Sequence, residues 1–130
     1  MEHAAGWLAW MKRGWQESTH FAFVVLDDRG CIVAACDIKT NESDNAEIGY
    51  WCSVSAKGVM TNAVQAMIDL ALQAGFQSFI AYTRTGNHRS ERVLGRLGFT
   101  PTQAIQADER QLHRYDTDRS RVRDVRRREP

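Results

Sequence analysis

The most regular pattern in the chain is an apolar repeat over residues 59–74, which predicts an amphipathic helix. Apolar residues recur there at spacings of three and four, and Gly75 stands where a helix-capping glycine belongs. Strand-like runs flank this helix at 46–54 and 78–83. A strand, a helix and a second strand in that order favour a parallel strand pair joined by a right-handed crossover. The chain is therefore predicted to form a mixed α/β sheet.

The remaining segments predict further elements of the same sheet. A first helix is expected over 4–17, a β-hairpin over 21–38, a second amphipathic helix over 87–97, and final strands over 99–106 and 111–122. The tryptophans of the first helix are interpreted as packing residues. A length of 130 residues suits one domain, 1–130, with 119–130 as a basic C-terminal tail.

Composition excludes several functional classes. A net charge of +1 gives no general reason to expect a nucleic acid or a membrane surface as partner. The sequence holds no apolar run of about 18 residues and no signal-peptide pattern, so we expect a soluble, cytoplasmic protein. The three cysteines and four histidines show no metal-ligand spacing, so no metal site is predicted. Cys31, Cys36 and Cys52 are expected to be reduced and mostly buried.

Two helix starts carry the residues that point to chemistry. A helix N-terminus offers unpaired N–H groups and the positive end of the helix dipole, which together bind phosphate. Gly58 allows close approach of a ligand, Ala56 is small and Lys57 adds a cation. Asn87 and Ser90, three residues apart, share a face at the start of the next helix. Both helix starts are expected at the carboxyl edge of the sheet, where ligands bind.

The run AEIGYWCSVSAKGVMTNAVQAMIDLAL, followed by NHRSERVLGRLGF, resembles the GNAT acyltransferases, and among them the RimJ/RimL-like branch. That branch acetylates protein N-termini and, in related members, other small amines. The resemblance implies a GNAT N-acyltransferase fold, without its usual first strand and helix. It also implies acetyl-CoA as co-substrate, a small amine or a protein N-terminus as acceptor, and direct attack of the amine in a ternary complex. It makes a homodimer reasonable.

The resemblance assigns the coenzyme site to one loop and its surroundings. The family's Gln/Arg-x-x-Gly-x-Gly/Ala loop reads SAKGVM here: it keeps Gly58 but begins with Ser55 and ends with Met60. The implied coenzyme-binding residues are Trp51, Cys52, Val54, Ala56, Lys57, Gly58, Val59, Met60, Thr61, Asn87 and Ser90. Arg84 and Arg89 are candidates for contacts with the phosphates of the coenzyme.

The resemblance also assigns catalytic roles. Ser90 is implied as the acid that protonates the leaving thiolate. Glu109, with Asp108 beside it, is implied as the base, and Glu47 is the alternative base because it starts the strand that lines the cleft. The resemblance also implies that this strand, 46–54, splays from the next strand and that its backbone N–H donates a hydrogen bond to the thioester carbonyl.

Three alternatives stay open from the sequence. A coenzyme-binding or regulatory module without turnover is favoured by Ser55 and by the short N-terminus. A nucleic-acid-associated protein would act through the six arginines of 119–130. The chain begins at the helix that follows the family's first strand and helix. It is therefore either a fragment or a protein whose acceptor site is open or completed by another chain.

Overall fold

The computed structural model describes residues 2–53 and 58–117, with side chains from residue 6 onward. The predicted sites Val54, Ala56 and Lys57 and the basic tail 119–130 lie outside the described residues. The elements are α1 (Glu2–Glu17), β1 (Phe21–Leu26), β2 (Ile32–Ile38), β3 (Ala46–Cys52), α2 (Val59–Gln73), β4 (Phe79–Arg84), α3 (His88–Arg96), β5 (Phe99–Ala107) and β6 (Arg110–Thr117). This order confirms the predicted succession of helices and strands.

The strands form one mixed sheet in the order β1-β2-β3-β4-β6-β5. Among the described strands, β3 and β4 form the parallel pair and the other neighbours run antiparallel. The helix α2 crosses over between β3 and β4, as the strand–helix–strand pattern predicts. The strands β5 and β6 form a hairpin. Since β6 pairs with β4, this hairpin extends the sheet beyond β4 and leaves β5 at its edge.

The main core lies between one face of the sheet and the helices α2 and α3. The buried face of α2 carries Met60, Val64, Met67, Ile68 and Ala71, which reproduce the three- and four-residue spacing of the sequence. The helix α3 adds Val93 and Leu94. Alternate residues of the strands meet these helices, with Ala34, Cys36 and Ile38 from β2, Ala46 and Ile48 from β3, and Phe79 and Ala81 from β4. The side chains between them point to the opposite face.

The tryptophans of α1 pack at the edge of the sheet, beside β1. The Trp15 indole N–H donates to the Ala22 carbonyl at 2.9 Å, and its ring meets the edges of Phe21 and Phe23. Trp10 stacks on the His20 ring, whose Nε2 lies 2.7 Å from the Trp10 carbonyl. These contacts support the interpretation of these tryptophans as packing residues.

The prediction that the cysteines are mostly buried is wrong. All three are free thiols, but only Cys36 is buried, whereas Cys31 is exposed and Cys52 is partly exposed. Burial, with the neighbouring Asp37 charge, raises the pKa of Cys36 to about 12. Cys36 therefore stays protonated at neutral pH and serves the core. Cys31 escapes burial because it lies at the β1–β2 turn, where its N–H donates to the Asp27 carboxylate.

None of the helices that the structure describes is long and apolar enough to cross a membrane.

Candidate functional site

The strands β3 and β4 pair over a short distance and then separate. Their register joins Ala46 to Phe79, Glu47 to Ile80 and Ile48 to Ala81, and the described pairing ends there. Both strands continue, because β3 remains paired with β2 as far as Cys52 and β4 remains paired with β6 as far as Arg84. The outer neighbours thus hold the two strands apart, and a gap opens between their carboxyl ends.

The main chain of β3 presents hydrogen-bonding groups to this gap. The Ala46 N–H donates to the Ser78 carbonyl, on the β4 side, whereas the Ser53 N–H donates to the Val33 carbonyl, on the β2 side. Successive residues of a strand point their N–H and C=O groups to alternate sides. The N–H groups of Tyr50 and Cys52 therefore point into the gap, beyond the last residue pair with β4. They are available to a ligand that enters it.

The start of α2 is an open positive end. Gly58 precedes the helix in a left-handed conformation, with φ at +87°, which a glycine adopts without strain. Gly58 supplies no side-chain cap, and the first turn of α2 holds no acidic residue. The direction in which a Cβ of Gly58 would point is empty space. Within the described residues no side chain caps this helix start, which favours an anion there.

The start of α3 is capped within the chain. Asn87 Oδ1 accepts a hydrogen bond from the Ser90 N–H at 3.2 Å, as the cap interpretation predicts. The Asn87 N–H donates to the Arg84 carbonyl at 3.0 Å, which ties the cap to the end of β4. Glu91 occupies the first turn and contacts His88. This helix start is therefore satisfied internally and fixes the position of Ser90 at the gap.

Two adjoining cavities join the gap to the helix starts. The larger, of about 540 Å³, is lined by Cys52, Gly58, Met60, Thr61, Arg89, Arg92, Val93 and Arg96. The smaller, of about 240 Å³, is lined by Tyr50, Trp51, Cys52, Met60, Asn87, Arg89, Ser90 and Val93. Since they share Cys52, Met60, Arg89 and Val93, they form one continuous space, which we call the α2–α3 cavity.

The α2–α3 cavity carries positive charge. Arg89, Arg92 and Arg96 are spaced by three and four residues, so they form one row along α3. Arg89 Nη2 also donates to the Cys52 thiol sulphur at 3.2 Å, which joins α3 to the end of β3. Together with the start of α2, this row favours a ligand that bears several negative charges.

A tyrosine and a serine meet at the smaller end of the cavity. The Tyr50 hydroxyl lies 2.6 Å from Ser90 Oγ and 3.2 Å from the Ser90 carbonyl, to which it can also donate. Burial raises the pKa of Tyr50, while its hydrogen bond with Ser90 opposes part of that shift. The phenol is therefore protonated at neutral pH and remains available as a hydrogen-bond donor.

The structure brings most of the described candidate residues into the cavity wall. Trp51, Cys52, Gly58, Met60, Thr61, Asn87, Ser90 and Arg89 all line it. Val59 lies in the first turn of α2, partly buried, and is not among the lining residues. Arg84 is exposed at the end of β4 and also lies outside the lining.

The two candidate bases lie at different places. Glu109 is exposed in the turn between β5 and β6, next to Asp108, whose φ is +55°. That turn extends beyond the carboxyl end of β4, because Arg84 pairs with Leu112 and the Thr85 N–H donates to the Gln111 carbonyl. Glu47 lies at the start of β3, and strand alternation points its side chain to the face opposite α2. Neither carboxylate lines the α2–α3 cavity.

Sequence reasoning assigned no site role to three polar residues of the lining. Arg92 and Arg96 lie on the polar side of α3, away from the core, and they border the cavity. Tyr50 had no assigned role, although it belongs to the EIGYW run. Its helix-facing position follows from strand alternation, but its contact with Ser90, forty residues later, depends on the fold.

Comparisons with known proteins agree with this fold. A family model described as "Acetyltransferase (GNAT) domain" matches residues 1–100. No curated protein matches the sequence. Similar solved structures include the microcin C7 self-immunity acetyltransferase MccE in complex with acetyl-CoA and AMP, with TM-score 0.78, 19% identity and coverage of 89% of this chain and 70% of that one.

Two further solved structures are similar. RimL, described as a ribosomal L7/L12 alpha-N-protein acetyltransferase, has TM-score 0.76, 19% identity and coverage of 88% of this chain and 69% of that one. A variant of the spermidine N-acetyltransferase SpeG from Vibrio cholerae has TM-score 0.74, 11% identity and coverage of 88% and 74%. At these identities the likeness shows the fold, and it confirms the predicted GNAT architecture.

Replacing Asn87 tests the cap that holds Ser90. Asn87→Ala removes the oxygen that accepts from the Ser90 N–H, so the free energy of unfolding is expected to fall by about 0.5–2 kcal/mol. Asn87→Asp keeps that oxygen and adds a charge favourable at a helix N-terminus, so its stability is expected to stay close to that of the unchanged protein. Urea unfolding measures both. An equal loss in the two variants would contradict the cap.

Proposed function

This chain belongs to the GNAT acetyltransferase family, and from that premise we propose that it transfers the acetyl group of acetyl-CoA to an amine. The observation that carries the proposal is the gap between β3 and β4, which opens onto a cavity lined by arginines and by the free start of a helix. An anionic thioester needs these features together: cations for its phosphates and main-chain donors for its carbonyl.

The larger part of the α2–α3 cavity is proposed to hold the phosphates of acetyl-CoA. The first turn of α2 offers backbone N–H groups, and Gly58 leaves the space in front of them open. Arg89, Arg92 and Arg96 face the same cavity from α3. Their guanidinium groups suit phosphate oxygens, since each presents several donors in a planar fork. The family has Gln or Arg where this chain has Ser55. We expect this difference to weaken phosphate binding little, because main-chain N–H groups bind the phosphates.

The gap itself is proposed to hold the reacting thioester. The Tyr50 and Cys52 N–H groups point into it and can donate to the carbonyl oxygen. That oxygen gains negative charge when the amine attacks, so a fixed donor lowers the energy of the transition state more than that of the bound substrate. Holding amine and thioester together in the gap supplies the rest of the acceleration.

Ser90 is proposed as the acid. The reaction forms a carbon–nitrogen bond and breaks the carbon–sulphur bond, and the proton that the amine nitrogen loses is balanced by the one that the sulphur gains. The Ser90 hydroxyl lies in the cavity wall, at the end nearest the gap. It can therefore donate to the departing sulphur while the base takes the proton of the amine.

The amine is proposed to enter from the face of the sheet opposite α2 and α3. The coenzyme cavity occupies the helix side of the gap, so the other side is left for the acceptor. The side chains of Trp51 and Tyr82 belong to that other face by strand alternation and are 49% and 38% exposed, and Trp51 also borders the cavity. Two exposed aromatic rings beside the gap suit an amine, whose ammonium form is attracted to ring faces.

Two acceptor classes follow from the similar structures, whose descriptions name ribosomal-protein and spermidine acetyltransferases. We favour a protein N-terminal α-amine, the acceptor type that the description of RimL names. Glu109 is the favoured base, since its turn lies at the same sheet edge as the cavity, whereas Glu47 lies at the far end of β3.

Turnover of acetyl-CoA tests the proposed function. With a peptide that has a free α-amine, or with spermidine, the protein is expected to release free thiol and to form an acetylated product detectable by mass spectrometry. A peptide with a blocked N-terminus and no other amine is the control. Tight binding of acetyl-CoA without thiol release on either acceptor would contradict the proposal and favour a coenzyme-binding module.

Substitution of Gly58 tests the phosphate site. Glutamate and glutamine have nearly the same shape and suffer the same strain at φ +87°, so they differ in charge alone. Gly58→Glu is expected to bind acetyl-CoA more than about tenfold more weakly than Gly58→Gln, because its carboxylate would repel the phosphates. Calorimetry measures both affinities. Equal affinities would show that the phosphates bind elsewhere.

The pH dependence of turnover tests the base. A general base must be deprotonated, so turnover is expected to fall as the pH is lowered through its pKa. Glu109→Gln should lower turnover about 100-fold and change the pH profile of turnover, whereas Glu47→Gln should leave the profile unchanged. If Glu47→Gln alone changed the profile, the roles of the two carboxylates would be reversed.

A further inference from the structure

We infer that Tyr50 is a positioning residue for the acid step: its hydroxyl donates to Ser90 Oγ and thereby directs the proton of Ser90 into the α2–α3 cavity. The inference rests on the proposed role of Ser90 in acetyl transfer. It adds to the site a residue to which the sequence patterns assign no role.

The geometry leaves two arrangements of the hydrogen bonds. The Tyr50 hydroxyl has one proton and two acceptors within reach, Ser90 Oγ at 2.6 Å and the Ser90 carbonyl at 3.2 Å. If Tyr50 donates to the carbonyl, Ser90 must donate to Tyr50, and its proton points away from the cavity. If Tyr50 donates to Oγ, the Ser90 proton is free to turn into the cavity. Both arrangements use the 2.6 Å contact, so the group that occupies the cavity decides between them.

A negatively charged sulphur selects the second arrangement. Negative charge in the cavity attracts the nearest O–H dipole, and the Ser90 hydroxyl lies in the cavity wall. The Tyr50 hydroxyl can donate to Ser90 while Ser90 donates to the sulphur, because burial raises the pKa of Tyr50 and keeps its phenol protonated at neutral pH. Each bond in such a chain polarises the next, so the donation from Tyr50 strengthens the donation from Ser90.

Ser90 is thus held from two sides. Asn87 accepts from its N–H and fixes its main chain, and Tyr50 fixes its side chain. Tyr50 stands where β3 parts from β4, so its N–H points into the gap while its ring reaches α3. One residue therefore contacts both parts of the reaction, with its N–H toward the carbonyl and its hydroxyl on the group that meets the sulphur.

A double-mutant cycle tests the inference, with turnover measured for the unchanged protein, Tyr50→Phe, Ser90→Ala and the double variant. Tyr50→Phe keeps the ring and removes the hydroxyl. We expect kcat to fall about tenfold while KM for acetyl-CoA stays within about twofold. In the Ser90→Ala background the same change should have no further effect on kcat. If Tyr50 had only a structural role, Tyr50→Phe would instead raise KM or lower the free energy of unfolding.

Two controls make the result specific. Tyr115→Phe removes a hydroxyl from a buried tyrosine that lines neither part of the cavity, and kcat should not change. 4-Aminophenylalanine at position 50 returns a donor to the same place and should recover part of the lost rate, which also covers the case in which the phenylalanine variant is unstable.

The outcomes separate the inference from the proposed function. Absence of turnover in the unchanged protein would refute acetyl transfer itself. Full activity of Ser90→Ala would refute the acid role and the inference with it. Full activity of Tyr50→Phe beside a slow Ser90→Ala, or equal slowing by Tyr50→Phe in both backgrounds, would overturn the inference alone.

Discussion

The loss of pairing between β3 and β4 beyond Ile48 and Ala81 is the constraint on which the site depends. Each strand keeps its outer neighbour, so the sheet stays intact while its centre opens at one edge. Main-chain groups that face such a gap need a partner, because an unpaired buried N–H costs free energy. Water or a ligand must supply that partner. The gap is therefore open to water or to a ligand before any side chain is considered.

The surrounding elements give this gap its chemical character. The two helix starts differ: α3 is satisfied by Asn87 and Glu91, whereas α2 has neither a side-chain cap nor an acidic residue in its first turn. In the proposed function, the start of α2 attracts the anionic coenzyme and the arginine row of α3 faces it from the other side. The cap on α3 has a separate consequence, since it holds Ser90 at the point where Tyr50 reaches across from β3.

The sequence predicts the part of this arrangement that depends on local pattern. The spacing of apolar residues in α2, the strands around it and the cap at Asn87 follow from periodicity and side-chain chemistry. The gap does not follow from local pattern, because the run from Ala46 to Cys52 is equally compatible with a strand paired along its whole length; only the family resemblance implies it. The contact between Tyr50 and Ser90 depends on the distance between β3 and α3, which only the packed core sets. The exposure of Cys31 also depends on the fold, because it results from the position of this residue at the β1–β2 turn.

The most direct test of this account is amide hydrogen exchange at the gap, measured by NMR with and without saturating acetyl-CoA. In the free protein the Tyr50 and Cys52 amides are expected to exchange faster than that of Ile48, which lies in the paired part of β3. Acetyl-CoA should slow Tyr50 or Cys52 and leave Ile48 unchanged. Strong protection of both gap amides in the free protein, or no added protection with the coenzyme bound, would contradict the account.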